Sequence, residues 1–199
     1  MKSLHLTRPY AIMTVGIPGS GKSYFATSFS ETFGVPYVDF DQIDDRSGDA
    51  AKAGELALMF LTELAKTKQS FVFEGSSASR LHRTEFGRLA RSLGYTPLFI
   101  WVQTDQITAG RRIAKTGQYT KEAFVAALND FSPPHPTEKP VVISGKHTFA
   151  SQAKVVLTYL SGENRSSQIS VNAPTRASAD SDRSAQPASA SSRHTISVR

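Results

Sequence analysis

One octapeptide constrains the fold of this chain more than any other feature: Gly16-Ile17-Pro18-Gly19-Ser20-Gly21-Lys22-Ser23. It matches the pattern G-x-x-x-x-G-K-[ST] at every fixed position. An apolar run at 11–15 precedes it and predicts a buried strand, and a helical pattern at 22–33 follows it. A strand, a glycine-rich loop and a helix in this order form a phosphate-binding P-loop, so the sequence predicts an α/β nucleotide-binding fold.

The residue types of this loop suit the binding of ATP and Mg²⁺. Gly16, Gly19 and Gly21 let the backbone curl and direct its N–H groups at phosphate oxygens. The following helix adds its positive dipole end, and Lys22 brings a cation to the β- and γ-phosphates. The Ser23 hydroxyl is a ligand for Mg²⁺. The predicted nucleotide-binding residues are Gly16, Ile17, Pro18, Gly19, Ser20, Gly21, Lys22, Ser23 and Tyr24.

The first 160 residues continue to alternate strand and helix patterns. Further apolar runs predict strands at 35–38, 70–74, 97–102 and 140–143. Helical patterns predict helices at 54–66, 81–93, 121–130 and 151–160, and Asp105 can cap a further helix that runs to about residue 115. In the helix at 54–66, Leu56, Met59, Phe60 and Leu64 recur at helical spacing. This alternation is typical of a parallel sheet with helices on both faces, where ligands bind beyond the carboxyl ends of the strands.

Residues 161–199 differ in composition from the rest. They are rich in Ser, Ala, Arg and Asn and contain almost no large apolar side chains. Such a segment cannot bury enough surface to offset the entropy of ordering it. We therefore predict a folded domain at 1–160 and a disordered tail at 161–199.

Composition narrows the functional classes. The chain lacks cysteine, which excludes disulfides and thiolate metal sites, and it lacks an apolar run of the ~18 residues that a membrane helix needs. We expect a cytoplasmic protein. The net charge of +6 admits nucleic acid as a partner, but no aromatic–basic stripe supports it. We interpret the charge mainly as solvation and anion binding.

Acidic residues follow the second and third predicted strands. Phosphoryl transfer to a hydroxyl needs a group that accepts or orients its proton, and we predict Asp41 for this role, ahead of Asp39. The alternative role of Asp41 is to cap the next segment. Glu74 stands where a metal-positioning carboxylate usually lies, so we predict that it binds Mg²⁺. The alternatives for Glu74 are helix capping or an ion pair with Arg80 or Arg83.

A basic helix between the fourth and fifth strands has the character of a lid. Arg111 and Lys115 are four residues apart and share a face, and Arg112 lies beside them. Cations that close over a transferred phosphoryl group stabilise its developing charge. We predict that Arg111, Arg112 or both act in this way, an exposed basic face being the alternative. Arg80 and Arg83 are candidates for contact with an anionic acceptor or are surface charges.

With these residues, the chain resembles the small P-loop kinases of the polynucleotide kinase 5′-domain type, also described as AAA-domain or zeta-toxin-like proteins. The resemblance covers about 13–160. Beyond the P-loop it rests on the following residues: Asp41 with Ile43, Glu74-Gly75-Ser76-Ser77, Arg80, Arg83, Leu93-Gly94-Tyr95, Phe131, Pro134 and Glu138. It implies a P-loop NTPase three-layer sandwich with a five-stranded parallel sheet and a helical lid. It also implies ATP with Mg²⁺ and phosphorylation of a hydroxyl.

The chain departs from this family pattern at three positions. Glu74 replaces the usual Asp, Ser77 the common Asn, and Lys115 a second lid Arg, whose bidentate contact an ammonium cannot make. Two functions from different classes therefore remain open. The first is a kinase that transfers the ATP γ-phosphate to a hydroxyl of a small molecule or a nucleic-acid end. The second is an ATP-binding switch or slow ATPase without a dedicated acceptor.

Overall fold

A five-stranded parallel sheet forms the centre of the computed structural model, which describes Leu6 and residues 8–117 and 119–171. Its strands are β1 (Tyr10–Val15), β2 (Tyr37–Asp39), β3 (Phe71–Glu74), β4 (Thr96–Gln103) and β5 (Val141–Ser144). They lie in the order β2-β3-β1-β4-β5. The central β1 is buried along its whole length, because strands flank it on both edges and helices cover both faces.

Helices on the two faces of the sheet complete a three-layer sandwich. Within the described residues they are α1 (Lys22–Phe33), α2 (Phe40–Ser47), α3 (Ala50–Thr67), α4 (Arg80–Ser92), α5 (Gln106–Thr116), α6 (Lys121–Asp130) and α7 (Phe149–Val171), with a 3-10 helix at Pro136–Glu138. On one face, Phe25 of α1 and Leu160 of α7 enter the core. On the other, Leu61 of α3 and Phe86 of α4 do so. The predicted α/β fold is confirmed.

The helix α2 is the main element that the sequence did not predict. Asp39 caps it, with a side chain that accepts a hydrogen bond from the Gln42 amide at 3.2 Å. The helix is short and polar and buries none of its residues. Its apolar residues, Phe40 and Ile43, span a single turn, which is too short a pattern to predict a helix from sequence.

The last helix is longer than predicted. It begins at Phe149 and continues through Val171, so residues 161–171 of the predicted tail are helical. The remainder of that tail, 172–199, lies outside the described residues. The division into a domain at 1–160 and a tail at 161–199 stays a prediction.

A buried ion pair joins α4 to the segment before β5. Arg83 is fully buried, and its Nε and Nη2 donate to the Glu138 carboxylate at 2.8 and 3.2 Å. Its Nη1 donates to the Ser77 carbonyl at 2.8 Å. Arg83 is therefore neither a surface charge nor a contact for an acceptor, contrary to the expectation from sequence. Burial tends to raise the pKa of Glu138, but the hydrogen bonds and charge of Arg83 outweigh it and keep that pKa below its ordinary value.

Replacing Glu138 with glutamine is expected to lower the free energy of unfolding by about 3 kcal/mol at pH 7, because it leaves a buried guanidinium without its counter-charge. Chemical denaturation measures this. Since the folded pKa of Glu138 lies below its ordinary 4.5, the pair stabilises the protein above that pH and loses its effect as pH falls through the lowered pKa. The difference between wild type and variant should therefore shrink in acid. Equal stability at pH 7 would contradict this account.

Candidate active site

The glycine-rich octapeptide connects β1 to α1 and curls in a way that only glycine permits. Gly16, Gly19 and Gly21 have φ angles of 154°, 75° and 103°. A Cβ on Gly16 would lie 2.7 Å from the Ser20 hydroxyl, so no side chain fits there. Gly21 is the N-cap of α1 and offers no capping side chain, and Lys22 is the first helical residue. The amides at the start of α1 are thus left for a ligand.

The outer side of the loop is held by α5 and by the residue after β5. Arg112 Nη1 donates to the carbonyls of Gly19 and Ser20, both at 3.2 Å. Its Nη2 donates to the Gly145 carbonyl at 2.8 Å. The Thr104 hydroxyl donates to the Ser20 carbonyl at 2.9 Å. Arg112 therefore braces the loop and does not close over it from a lid, which corrects the closing role predicted for it.

These outer hydrogen bonds set the direction of the amides on the inner side. Because a peptide unit is planar and trans, the Ser20 carbonyl and the Gly21 N–H point in opposite directions. Within the described residues, the N–H groups of Gly21, Lys22 and Ser23 donate to no main-chain carbonyl. The buried Ser20 hydroxyl also has no partner among them. Such unsatisfied donors fit an anion with several oxygens, such as a phosphate.

Replacing Arg112 with lysine is expected to weaken ADP binding about tenfold or more, because one ammonium cannot hold three carbonyls in place. Isothermal titration calorimetry measures the affinity. Arg88→Lys is the control, since it makes the same exchange at an exposed arginine of α4 that has no role in the site. We expect it to change ADP affinity less than about twofold. An equal loss in both variants would show that the brace is not the cause of the weaker binding.

A buried carboxylate lies against the Ser23 hydroxyl. Ser23 Oγ donates to Glu74 Oε1 at 2.9 Å, and the Tyr37 hydroxyl donates to Glu74 Oε2 at 2.7 Å. Only 5% of Glu74 is exposed. Burial raises the pKa of Glu74, although the hydrogen bonds from Tyr37 and Ser23 and the charge of Lys22 oppose this. Glu74 thus neither caps a helix nor pairs with an arginine, and the Ser23–Glu74 oxygens form a donor set that suits Mg²⁺.

Two aspartates, one at the end of β2 and one at the start of α2, occupy different environments. Asp39 caps α2 and also accepts from the Gln42 side chain at 2.9 Å and the Tyr37 hydroxyl at 3.3 Å. Asp41 lies in the first turn of α2 and its side chain is exposed. Restricted hydration and the charge of Asp39 raise the pKa of Asp41, whereas the ammonium of Lys22 acts to lower it. Asp41 is therefore held by fewer hydrogen bonds than Asp39, and its charge interacts with that of Lys22.

Lys22 lies between the loop and these carboxylates. Its half-buried side chain bends back so that Nζ donates to the Ile17 carbonyl at 3.3 Å. Burial lowers the pKa of Lys22, while Glu74 and Asp41 act to raise it. The ammonium thus lies against the loop, and its charge interacts with those of both carboxylates.

The rest of the predicted lid faces solvent. The side chains of Arg111 and Lys115 are exposed on α5. The first half of α5 is packed on the loop, because a Cβ on Gly19 would lie 2.5 Å from the Ala109 carbonyl. Tyr24 is 59% exposed beside the start of α1. The closing role of Arg111 stays a prediction.

Comparison with known proteins decides the family. A family profile described as "AAA domain" matches residues 12–133, more than half of the chain. The chain belongs to this family. The match confirms the resemblance to small P-loop kinases that the sequence motifs indicated. It also confirms the predicted P-loop NTPase sandwich. Curated proteins give no match to the sequence.

Solved structures share the fold of this AAA-domain protein. A gluconokinase from Sinorhizobium meliloti 1021 superposes with a TM-score of 0.61 at 16% identity, covering 84% of this chain and 99% of the other. A sugar kinase from Janibacter sp. HTCC2649 gives 0.58 at 18%, covering 78% and 95%. A chain of the Pnkp1/Rnl/Hen1 RNA repair complex gives 0.56 at 17%, covering 74% and 48%. At these identities the likeness establishes the fold alone.

Several residues of the site were not foreseen in the sequence of this AAA-domain protein. They are Tyr37, Thr104 and Gly145, which reach the P-loop or its carboxylate through contacts distant in sequence. Gly145 could have been suspected, because it directly follows an apolar strand at the ligand-binding edge. Within the part of the chain that the structure describes, none of the helices has the length and apolar character to cross a membrane.

Proposed function

We propose that this AAA-domain protein is an ATP-dependent phosphotransferase that acts on a hydroxyl group. One observation carries the proposal. The Ser23 hydroxyl at the start of α1 donates to Glu74, and Glu74 pairs in the sheet with Asp39, which caps the helix that carries Asp41. A phosphate site, a metal-binding pair and a candidate base therefore share one edge of the sheet.

The roles of the residues follow from this arrangement. The loop amides and Lys22 bind the β- and γ-phosphates of ATP. Ser23 and Glu74 would hold Mg²⁺, which would supply further positive charge to the phosphate oxygens. Asp41 accepts or orients the proton of the acceptor hydroxyl. The hydroxyl oxygen then forms a bond to the γ-phosphorus as the bond to the β-phosphate oxygen breaks, and ADP leaves. Arg111 is the remaining candidate for a closing cation.

The acceptor is a small molecule or the end of a nucleic acid. A cleft of about 480 Å³ opens beside the end of β2, with Asp39, Gln42 and Phe60 among its walls. Its aromatic and polar lining suits a small acceptor with both an apolar part and hydroxyl groups. Solved structures with this fold include kinases of sugars and an RNA repair complex, and both kinds of acceptor deserve testing.

Glu74→Gln is expected to raise the Mg²⁺ concentration for half-maximal ATP binding by about tenfold to a hundredfold, because the amide lacks the charge that orients the metal and its hydroxyl ligand. Calorimetric titrations of ATP at several Mg²⁺ concentrations measure this. Binding without the metal should change little. Asp45→Asn, which removes an exposed acid on α2, serves as the control. An unchanged Mg²⁺ requirement in Glu74→Gln would remove Glu74 from the metal site.

A further inference from the structure

One face of α4 carries a row of residues that the proposed reaction does not use. Arg80, Thr84, Gly87 and Arg91 follow one another at intervals of four, three and four residues, so they lie on one line along the helix. Both arginines are exposed. At 1.5 Å per residue, the two ends of the row are about 16 Å apart.

This row forms one wall of a cavity of about 430 Å³, here called the α4 groove. The facing walls are the lower half of β4, at Pro97–Phe99, and the 3-10 helix with the following Lys139. The lower half of β4 is an open edge, because β5 pairs with β4 only from Ile100 onward. Near the middle of the groove the Arg91 guanidinium folds back over Gly87 and donates to its carbonyl at 3.0 Å. The groove is therefore bounded by α4, β4 and the 3-10 helix, with the charge of Arg91 directed into it.

The charge of the α4 groove is positive. Arg80, Arg91 and Lys139 are exposed, and none of them forms an ion pair with a carboxylate among the described residues. Glu138 also lines the groove, but its carboxylate is bound by the buried Arg83. Arg80 makes a weak contact with a threonine hydroxyl at 3.4 Å, and Arg91 donates to a carbonyl of its own helix. Three cations are thus available to a ligand with several negative charges.

We propose that the α4 groove binds the phosphate backbone of a single-stranded polynucleotide. Three separate cations exceed what one singly charged anion would neutralise, whereas a strand carries one negative charge at each of several successive phosphates. Arg80 is also the first residue of α4, just after the turn that follows Glu74. A bound strand therefore has one end beside the edge of the sheet that carries the P-loop. This inference goes beyond the proposed function, because it concerns a surface outside the nucleotide site and holds whether or not the strand is the acceptor.

Fluorescence anisotropy with a labelled single-stranded oligonucleotide of about twelve nucleotides, without ATP, tests the proposal. The variant Arg80→Gln/Arg91→Gln/Lys139→Gln is expected to bind at least about tenfold more weakly at 0.1 M salt. The slope of log affinity against log salt should fall by about 2, as three lost contacts at about 0.7 each require. All three residues are exposed, and an unchanged thermal midpoint confirms that the fold is intact.

Arg88→Gln is the matched control. It removes an exposed arginine from the same helix, outside the groove, and should change affinity less than about twofold. Failure of the wild-type protein to bind the oligonucleotide would overturn the proposal. So would an equal loss in Arg88→Gln, because binding would then depend on net charge and not on the groove. Neither result bears on phosphoryl transfer, since the measurement contains no ATP.

Discussion

Replacing Lys22 with methionine is expected to lower the rate of phosphoryl transfer by about a hundredfold to a thousandfold. Methionine keeps the apolar stem but removes the ammonium that would neutralise the phosphates. The loss is large because Glu74 and Asp41 stay nearby, and their negative charges would then act on the phosphates without opposition. Single-turnover formation of ADP at saturating ATP measures the chemical step, and calorimetry with ADP measures the accompanying loss of affinity.

The control for Lys22 is Lys66→Met, which removes a lysine that is exposed on α3 and pairs with Glu63. Both side chains of this pair are exposed on α3, and neither belongs to the P-loop. We therefore expect rates within about twofold of wild type. A Lys22→Met protein that retains its fold and transfers phosphate within tenfold of the wild-type rate would contradict the phosphate-binding role of the loop.

The second large effect is expected at Asp41. Asp41→Asn should lower the rate constant for transfer by about a hundredfold or more, with a change of less than about threefold in ATP affinity. The amide keeps the size of the side chain but cannot accept the proton. Because a base acts in its ionised form, the wild-type rate should rise with pH through the pKa of Asp41, which lies above its ordinary 3.8. The variant should lack this rise.

Asp39→Asn separates the two aspartates. Asparagine caps helices about as well as aspartate, so the start of α2 should be preserved and the stability should change little. We expect a much smaller loss of rate than in Asp41→Asn. If the larger loss occurs at Asp39, the assignment of the base is reversed. If neither variant loses rate, neither carboxylate is the base.

The parts of the fold that depend on local sequence were predictable. The helix α1 has its predicted bounds, because Gly21 and Gly34 stand at its two ends in left-handed conformations. The cap of α5 at Asp105 was likewise visible in the sequence, and the structure confirms it with a hydrogen bond to the Thr108 amide at 2.8 Å. Glycines and capping side chains act on their immediate neighbours, so their effects can be read from sequence alone.

The buried face of α3 was harder to predict from sequence. Of the four apolar residues that predicted this helix, Leu56, Met59 and Phe60 are 38%, 54% and 51% exposed, and Leu64 packs against the core. The buried face instead carries Leu61 among alanines, such as Ala57. Small side chains allow α3 to approach the sheet closely, a property that hydrophobicity alone does not show.

The features that could not be predicted depend on contacts between segments that are distant in sequence. Arg83 is an arginine, a residue type that is usually exposed, and its burial depends on Glu138, which is 55 residues further on. The hydrogen bond of Arg112 to Gly145 spans 33 residues and turns a predicted lid cation into a brace of the P-loop. The row on α4 is similar, because its two arginines meet on one face only when the helix is formed and Lys139 joins them from another segment.

Transfer of label from [γ-³²P]ATP tests the central claim most directly. Wild-type protein and Lys22→Met are incubated with Mg²⁺ and separate panels of sugars, nucleosides, nucleotide sugars, aminoglycosides and 5′-hydroxyl oligonucleotides, and ADP is measured in parallel. The account predicts label on a hydroxyl of one class, formed with equal amounts of ADP and lost in Lys22→Met. Tight ATP binding by the wild-type protein without label on any acceptor and without release of ADP would contradict it and would favour an ATP-binding switch.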